Sequence, residues 1–313
     1  MTTSGTTTYD RTGAQITDHA LRLIRVLGED DSITANQQAN ALVALNQMVK
    51  SDQMKLGLWR TTEAKLLLVD GTAKYTLTGA KAADIDQISE TTLDADEAAS
   101  QTVLSVTSTT AGAAFADADI IHIQLDDDTW HTTTIASSVT DDTVTVDTGL
   151  ASAASSGNKV FAYTTAAPKA LKILSARREN GSNEIEVFQL SRAGYFDLPN
   201  KSSAGTPVQF FYDPRLATGE LYLWPTPDTV QDEINYTYLK ELEIFSASTD
   251  TSDFPEEWLE YLVYGLAMRL APMHGVQVSN EVLMVYQNAI STLEQWDADD
   301  ASIIFSATDD WYG

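Results

Sequence analysis

The spacing of apolar residues predicts helices near both ends of the chain. Apolar residues recur at intervals of three and four, which is typical of a helix with one buried face. The helices are predicted at residues 15–27, 34–53, 255–272 and 280–296. Thr34 and Gln37 have the spacing of a capping box, and Asp253 with Glu256 has an acidic version of it. Because each helix has a face to bury, we expect the two pairs to pack together.

Between the helices, alternating apolar and polar residues predict β-strands. The strands are predicted at 66–69, 74–77, 103–106, 120–125, 130–135, 143–146, 159–163, 185–190, 208–212, 220–224 and 234–239. The acidic residues Asp126, Asp127 and Asp128 fall where a hairpin turn is expected.

Composition divides the chain further. Residues 84–165 hold 14 Asp and Glu against one Lys, Lys159, and so carry half of the net charge. We interpret this segment as an inserted acidic all-β domain, with a discontinuous core at 1–83 and 166–296 and an extended tail at 297–313. The predicted fold class is α+β: a helical bundle formed by the N- and C-terminal helix pairs, an antiparallel β layer and the inserted all-β domain.

The net charge of −26 bears on nucleic acid binding. The 45 acidic residues outnumber the 19 basic ones, whereas tight phosphate binding needs a basic footprint. The absence of cysteine excludes disulfides, thiolate metal sites and cysteine nucleophiles. The apolar run at 66–69 is far shorter than a membrane span, and 1–13 lacks the apolar core of a secretory signal. We therefore expect no membrane association.

Catalytic and metal-binding motifs are weak or missing. His122 and His131 flank three aspartates, but on a hairpin Asp126 to Asp128 would lie at the turn, away from both rings. A solvated turn is the simpler interpretation, and we predict no metal, no cofactor and no enzyme activity. A carboxylate pair for cell-wall glycoside hydrolysis needs no local motif and stays open as an alternative.

The aromatic residues of the later strands, which lie outside the inserted β-domain, could form a sugar-binding face. The residues concerned are Phe210, Tyr212, Tyr222, Trp224, Tyr236 and Tyr238. Alternation in a half-buried sheet explains them more simply.

The acidic tail carries large apolar residues that a solvated tail normally lacks. They are Ile303, Ile304, Phe305, Trp311 and Tyr312. We predict that a partner surface covers these residues; packing on their own subunit is the alternative.

Four stretches together resemble one family. They are 41–48 (ALVALNQM) running on to 56–59, 205–214 (GTPVQFFYDP), 221–227 (LYLWPTP), and 253–258 (DFPEEW) with the helix that ends at 270–275. In this order and spacing they resemble the head-to-tail adaptor, or tail accessory, proteins of short-tailed phages and their relatives. The stretch 120–133 (IIHIQLDDDTWHTT) is similar to a β-module of phage structural proteins, although the large insert departs from the shorter adaptors.

The resemblance implies a structural virion protein at the head–tail junction, made in the bacterial host cytoplasm. Such adaptors form a ring, usually of twelve copies, beneath the portal protein. The ring extends the DNA channel and docks tail or nozzle proteins. The resemblance implies that the apolar residues of the C-terminal tail contact the portal or a neighbouring subunit: Ile303, Ile304, Phe305, Trp311 and Tyr312. The alternative is a tail or baseplate protein whose β-insert binds host glycan. DNA would pass without specific binding, and we expect part of the acidic excess to line the channel and repel it.

Overall fold

The chain is mostly β. The computed structural model describes residues 9–53, 60–78, 81–110, 115–140 and 142–296. Over these residues it has 14 strands in two curled sheets and five α-helices. The predicted helical bundle with a β layer and an inserted β-domain is therefore wrong, although the fold is mixed α+β. The reason is that each sheet buries an apolar cluster of its own, so strands rather than helices supply most of the core.

The elements follow the chain in this order. The helices are α1 (Gly13–Leu23), α2 (Ala35–Asp52), α3 (Arg192–Phe196), α4 (Leu259–Met273) and α5 (Asn280–Trp296). The strands are β1 (Thr61–Leu67), β2 (Lys74–Thr76), β3 (Ala82–Asp84), β4 (Ser89–Thr92), β5 (Val103–Ser105), β6 (Ile120–Gln124), β7 (Trp130–Thr140), β8 (Thr143–Val146), β9 (Lys159–Tyr163), β10 (Ala170–Asn180), β11 (Asn183–Gln189), β12 (Gln209–Pro214), β13 (Gly219–Trp224) and β14 (Glu233–Lys240). None of the described helices combines the length and apolar character that a membrane span requires.

Contacts divide the chain into two compact units. One consists of 1–59 and 242–313, and the other of 60–241. The six-stranded sheet, β4 to β9, lies within the second unit. The predicted domain boundaries at 84, 165 and 297 stay predictions.

The helical unit packs around Trp258, which is fully buried. Thr34 caps α2 through the predicted box with Gln37. The predicted box at the start of α4 is wrong, because a short 3-10 turn precedes α4 and Asp253 instead accepts a hydrogen bond from the backbone N–H of Glu243 at 3.2 Å. The core combines residues from four helices, among them Ile16, Leu21, Leu45, Met48, Leu262, Leu266 and Leu293.

The eight-stranded sheet has the order β2-β13-β12-β11-β10-β14-β1-β3. Its neighbours are antiparallel except for the parallel pair β11–β12. The central strand β10 lies outside the predicted strands and pairs with β14 through two register irregularities. One face of the sheet buries residues including Leu66, Ala176, Phe210, Tyr212, Leu221, Leu223, Tyr236 and Tyr238.

The six-stranded sheet has the order β4-β9-β6-β7-β8-β5, and its two edges meet. Leu93 bridges Val106, and the N–H of Thr107 donates to the carbonyl of Thr92 at 2.9 Å. The sheet thereby closes on itself, which leaves its edge strands paired rather than open. The enclosed residues include Leu104, Ile121, Ile123, Val144, Val160 and Ala162.

Candidate functional site

The β12–β13 hairpin carries aromatic and acidic side chains on the face opposite the apolar core. The register pairs Phe211 with Tyr222 and Asp213 with Glu220. Because side chains alternate along a strand, these four residues share one face. The residues between them belong to the core: Phe210, Tyr212, Leu221 and Leu223.

Helix α3 adds two aromatic rings to this face. Ser191 caps the helix with its side chain. The buried ring of Tyr195 lies 5.1 Å from that of Tyr222 and 5.9 Å from that of Phe211, between centroids. The ring of Phe196 lies 6.1 Å from Phe211, and its residue is 47% exposed. We call the four aromatic rings and the cations around them the aromatic-basic face. The rings are those of Tyr195, Phe196, Phe211 and Tyr222, and the cations are Lys74, Arg192, Lys201 and Arg215.

Cations surround the two carboxylates of the hairpin. Asp213 and Glu220 lie directly opposite each other, an arrangement that is destabilising for like charges alone. Arg192 donates to both carboxylate oxygens of Asp213 at 2.8 Å. Arg215 lies 3.2 Å from Asp213 and 2.7 Å from Glu220. Lys74 lies 2.7 Å from Glu220, so three cations share two carboxylates.

These contacts keep both carboxylates ionised. The hydrogen bond from Lys74 lowers the pKa of Glu220 below its usual value. Burial acts to raise the pKa of Asp213, but hydrogen bonds from Arg192 and Arg215 bring it below its usual value. The ion pairs therefore persist at neutral pH. The three cations outnumber the two carboxylates, so the group carries a net positive charge.

The cations also lie over the rings and remain accessible. The Arg192 guanidinium carbon is 5.7 Å from the Phe196 centroid, and Lys74 Nζ is 5.8 Å from that of Tyr222. The side chains of Lys74, Arg192 and Arg215 are 47%, 61% and 50% exposed. Exposed arginine and aromatic residues together are typical of the centres of protein interfaces.

A second charged cluster joins the two sheets of the 60–241 unit. Lys159 of β9 lies 2.6 Å from Glu233 of β14. Lys65 of β1 lies 3.2 Å from Glu90 of β4 and 2.9 Å from Glu179 of β10. We call these five residues the charged junction.

Burial perturbs the ionisation of the charged junction. It raises the pKa of Glu233 to about 7, against the lowering effect of Lys159. Oε2 of Glu233 is buried and has no hydrogen-bond partner among the described residues, which favours its protonated form. Burial acts to lower the pKa of Lys65, but Glu179 and Glu90 raise it above its usual value. In the charged junction, Lys65 therefore keeps its positive charge at neutral pH, whereas the Glu233 carboxyl titrates near pH 7.

The predicted partner-binding residues lie outside the described residues, so their role stays a prediction. They are Ile303, Ile304, Phe305, Trp311 and Tyr312.

The two candidate metal-binding histidines have other partners. His122 is buried between the hydroxyls of Thr132 and Tyr163, at 2.8 and 2.9 Å. His131 contacts the carbonyl of Thr148 at 3.0 Å. Across the described residues, no group of three or more His, Asp or Glu is placed to hold a metal ion.

The structure separates the aromatic residues that sequence reasoning grouped together. Phe210, Tyr212, Tyr236 and Tyr238 are core residues, whereas Tyr222 belongs to the aromatic-basic face. Sequence reasoning missed this face because its residues come from β2, α3, the segment after α3 and the β12–β13 hairpin. The available signal was the alternation in 209–214, which places the ring of Phe211 and the carboxylate of Asp213 on one side of the strand.

Comparison with known proteins identifies a family. A family model described as "SU10 adaptor protein" matches residues 116–305, more than half of the chain. Among solved structures, VP17, a capsid protein of bacteriophage P23-77, matches with 10% identity and a TM-score of 0.14, over 60% of this chain and 75% of its own. The complex of VP16 and VP17, the two major capsid proteins of that phage, matches with 9% identity and a TM-score of 0.14. This match covers 61% of this chain and 80% of the matched chain. Similarity this low carries no argument about fold or function. No curated protein matches the sequence.

Proposed function

The chain belongs to the SU10 adaptor protein family, a family of phage adaptors, and we propose that it is the head-to-tail adaptor of a phage particle. The family match over 116–305 carries this proposal. In the proposed phage particle, copies of the chain form a ring of about a dozen subunits under the portal protein. The ring extends the DNA channel and docks tail components. The chain has a structural role and catalyses no reaction.

A closed ring of identical subunits needs two different, complementary surfaces on each subunit. The aromatic-basic face supports the proposal as one such surface, since it is cationic on a chain with a net charge of −26. Charge complementarity between such surfaces favours one register of association over others. The segment 297–313 is the proposed partner-binding element, through Ile303, Ile304, Phe305, Trp311 and Tyr312.

The acidic excess suits a DNA channel. Anionic walls repel duplex DNA over a Debye length of about 8 Å at physiological salt, so that phosphate contacts do not slow its passage. The assembled ring is therefore expected to give no shift of duplex DNA in an electrophoretic mobility assay at physiological salt. Retention of DNA by the ring would contradict this part of the proposal.

Mass photometry of the full chain, alone and mixed with the portal protein of its phage, tests the adaptor role. We expect the portal to gain the mass of about a dozen 34.1 kDa subunits in one step. Binding of single copies without ring closure, or no change in the portal, would contradict the proposal.

A further inference from the structure

The aromatic-basic face is an accessible surface with the composition of a binding site. Phe196 is 47% exposed, and Leu216, next to Arg215, is fully exposed. Lys201 lies 6.0 Å from the Phe196 centroid and donates to the carbonyl of Phe196 at 2.8 Å. A partner that covers this surface must supply apolar side chains for the rings and negative charge for the cations.

The charge of the face defines its partner more closely. Lys74, Arg192 and Arg215 form four ion pairs with only two carboxylates. A guanidinium has five N–H donors, so the exposed side of each arginine can still donate hydrogen bonds to a further carboxylate. An acidic segment with large apolar residues meets both requirements.

Residues 297–313 of the chain itself have this composition. They hold five aspartates and no Lys or Arg. The aspartates are Asp297, Asp299, Asp300, Asp309 and Asp310, and the large apolar residues are Ile303, Ile304, Phe305, Trp311 and Tyr312. The segment follows α5 and has 17 residues, so its fully extended reach is up to about 60 Å.

We propose that the aromatic-basic face binds the acidic C-terminal segment, residues 297–313, of a neighbouring copy in the ring. The inference rests on the proposed ring and identifies one of its subunit contacts. The face and the segment are two different and complementary surfaces of one chain, which is the relationship that lets identical subunits close a ring. Aspartates contact the arginines, and the aromatic residues of the segment pack on Phe196.

Disulfide trapping tests this contact directly, because the chain has no cysteine of its own. Full chain carrying Leu216→Cys is mixed with full chain carrying Gly313→Cys, assembled on the portal and oxidised mildly. Leu216 is fully exposed, so its replacement removes no packing. We expect a disulfide that joins position 216 of one copy to position 313 of another copy. The matched control places the cysteine at Lys172, an exposed position on β10, and should give no product.

A charge reversal and a double variant complete the test. Arg192→Glu should lower the yield of the disulfide by about tenfold, and Lys172→Glu should leave it unchanged. The double variant Leu216→Cys/Gly313→Cys distinguishes binding within one chain from binding between copies.

A disulfide within one chain, a disulfide to the portal or no disulfide at all in an assembled ring would overturn the inference and leave the adaptor role intact. If no ring assembles on the portal, the proposed function itself fails, and the inference fails with it.

Discussion

The Lys159 ammonium lies 2.6 Å from the Glu233 carboxylate, and this ion pair joins β9 of the six-stranded sheet to β14 of the eight-stranded sheet. Glu233 is 1% exposed, so its charge depends on the pair for compensation. The two sheets are thus joined by a contact whose strength depends on pH.

Replacement of Glu233 by Gln should alter how stability depends on pH. Its pKa, raised from 4.5 to about 7, means that the folded chain holds a proton that the unfolded chain releases. This contribution to stability is complete below the unfolded value and is lost as pH rises through 7. The free energy of unfolding of the native chain relative to Glu233→Gln should fall by about 2–3 kcal/mol between pH 5 and pH 8.

Urea unfolding at both pH values measures this difference. Glu186→Gln removes an exposed carboxylate from the same sheet and is the control for the loss of one charge. A pH profile of Glu233→Gln that runs parallel to the native profile would contradict the prediction.

Replacement of Lys159 by Met should destabilise the chain more at pH 8 than at pH 5. At pH 8 the variant must either keep an ionised Glu233 buried without its nearest cation or protonate it, which costs about 3 kcal/mol. At pH 5 the carboxyl is protonated and the cost is smaller. The double variant Lys159→Met/Glu233→Leu should recover most of the stability at pH 8. Equal losses at both pH values would show that Lys159 acts through packing alone.

Replacement of Trp130 by Phe should remove a second link between the sheets. The indole N–H of Trp130 donates to the carbonyl of Leu68 at 2.8 Å, and its ring lies edge-on to Phe161 at 5.6 Å. Loss of this donor should cost about 1 kcal/mol of unfolding free energy. Trp224→Phe is the control, since the indole of Trp224 donates to Asn200 at an exposed position where water can replace it. Equal losses in the two variants would contradict the prediction.

Replacement of Tyr261 by Phe should weaken the helical unit. The hydroxyl of Tyr261 donates to the buried carboxylate of Asp52, which also lies 3.1 Å from Arg269. Burial raises the pKa of Tyr261 above its usual value, so the hydroxyl keeps its proton and remains a donor. Its loss should cost about 1–3 kcal/mol in thermal or urea unfolding, because Asp52 is buried.

Tyr264→Phe removes a hydroxyl from the same helix and is the control for the Tyr261 variant. The prediction also requires that Tyr261→Phe costs less in an Asp52→Asn background, where no carboxylate remains to be satisfied. The same cost in both backgrounds would show that the hydroxyl acts on another group.

Local patterns determined the helices and many strands. Periodicity and a capping serine predict a helix at 280–296, and α5 extends over Asn280–Trp296, because caps and apolar spacing act within a few residues. Alternation likewise predicts a strand at 159–163, where β9 lies. The family resemblance was also present in the sequence, and the match over 116–305 supports it.

The tertiary structure alone decided the fold class and the candidate site. β10 carries Arg177 and Arg178 and pairs with β14 through two irregularities, so its alternation is broken, yet it lies in the middle of the larger sheet. The sheet order brings β14 between β10 and β1, although 52 residues lie between the end of β10 and the start of β14.

The two charged clusters depend on the same long-range pairing. Arg192 meets Asp213, and Lys159 meets Glu233, only because separate strands and a short helix come together. The pKa of Glu233 reflects burial between two sheets, which no local pattern encodes. Sequence determines local propensity, whereas pairing across distant segments and the burial that follows from it arise only when the whole chain packs.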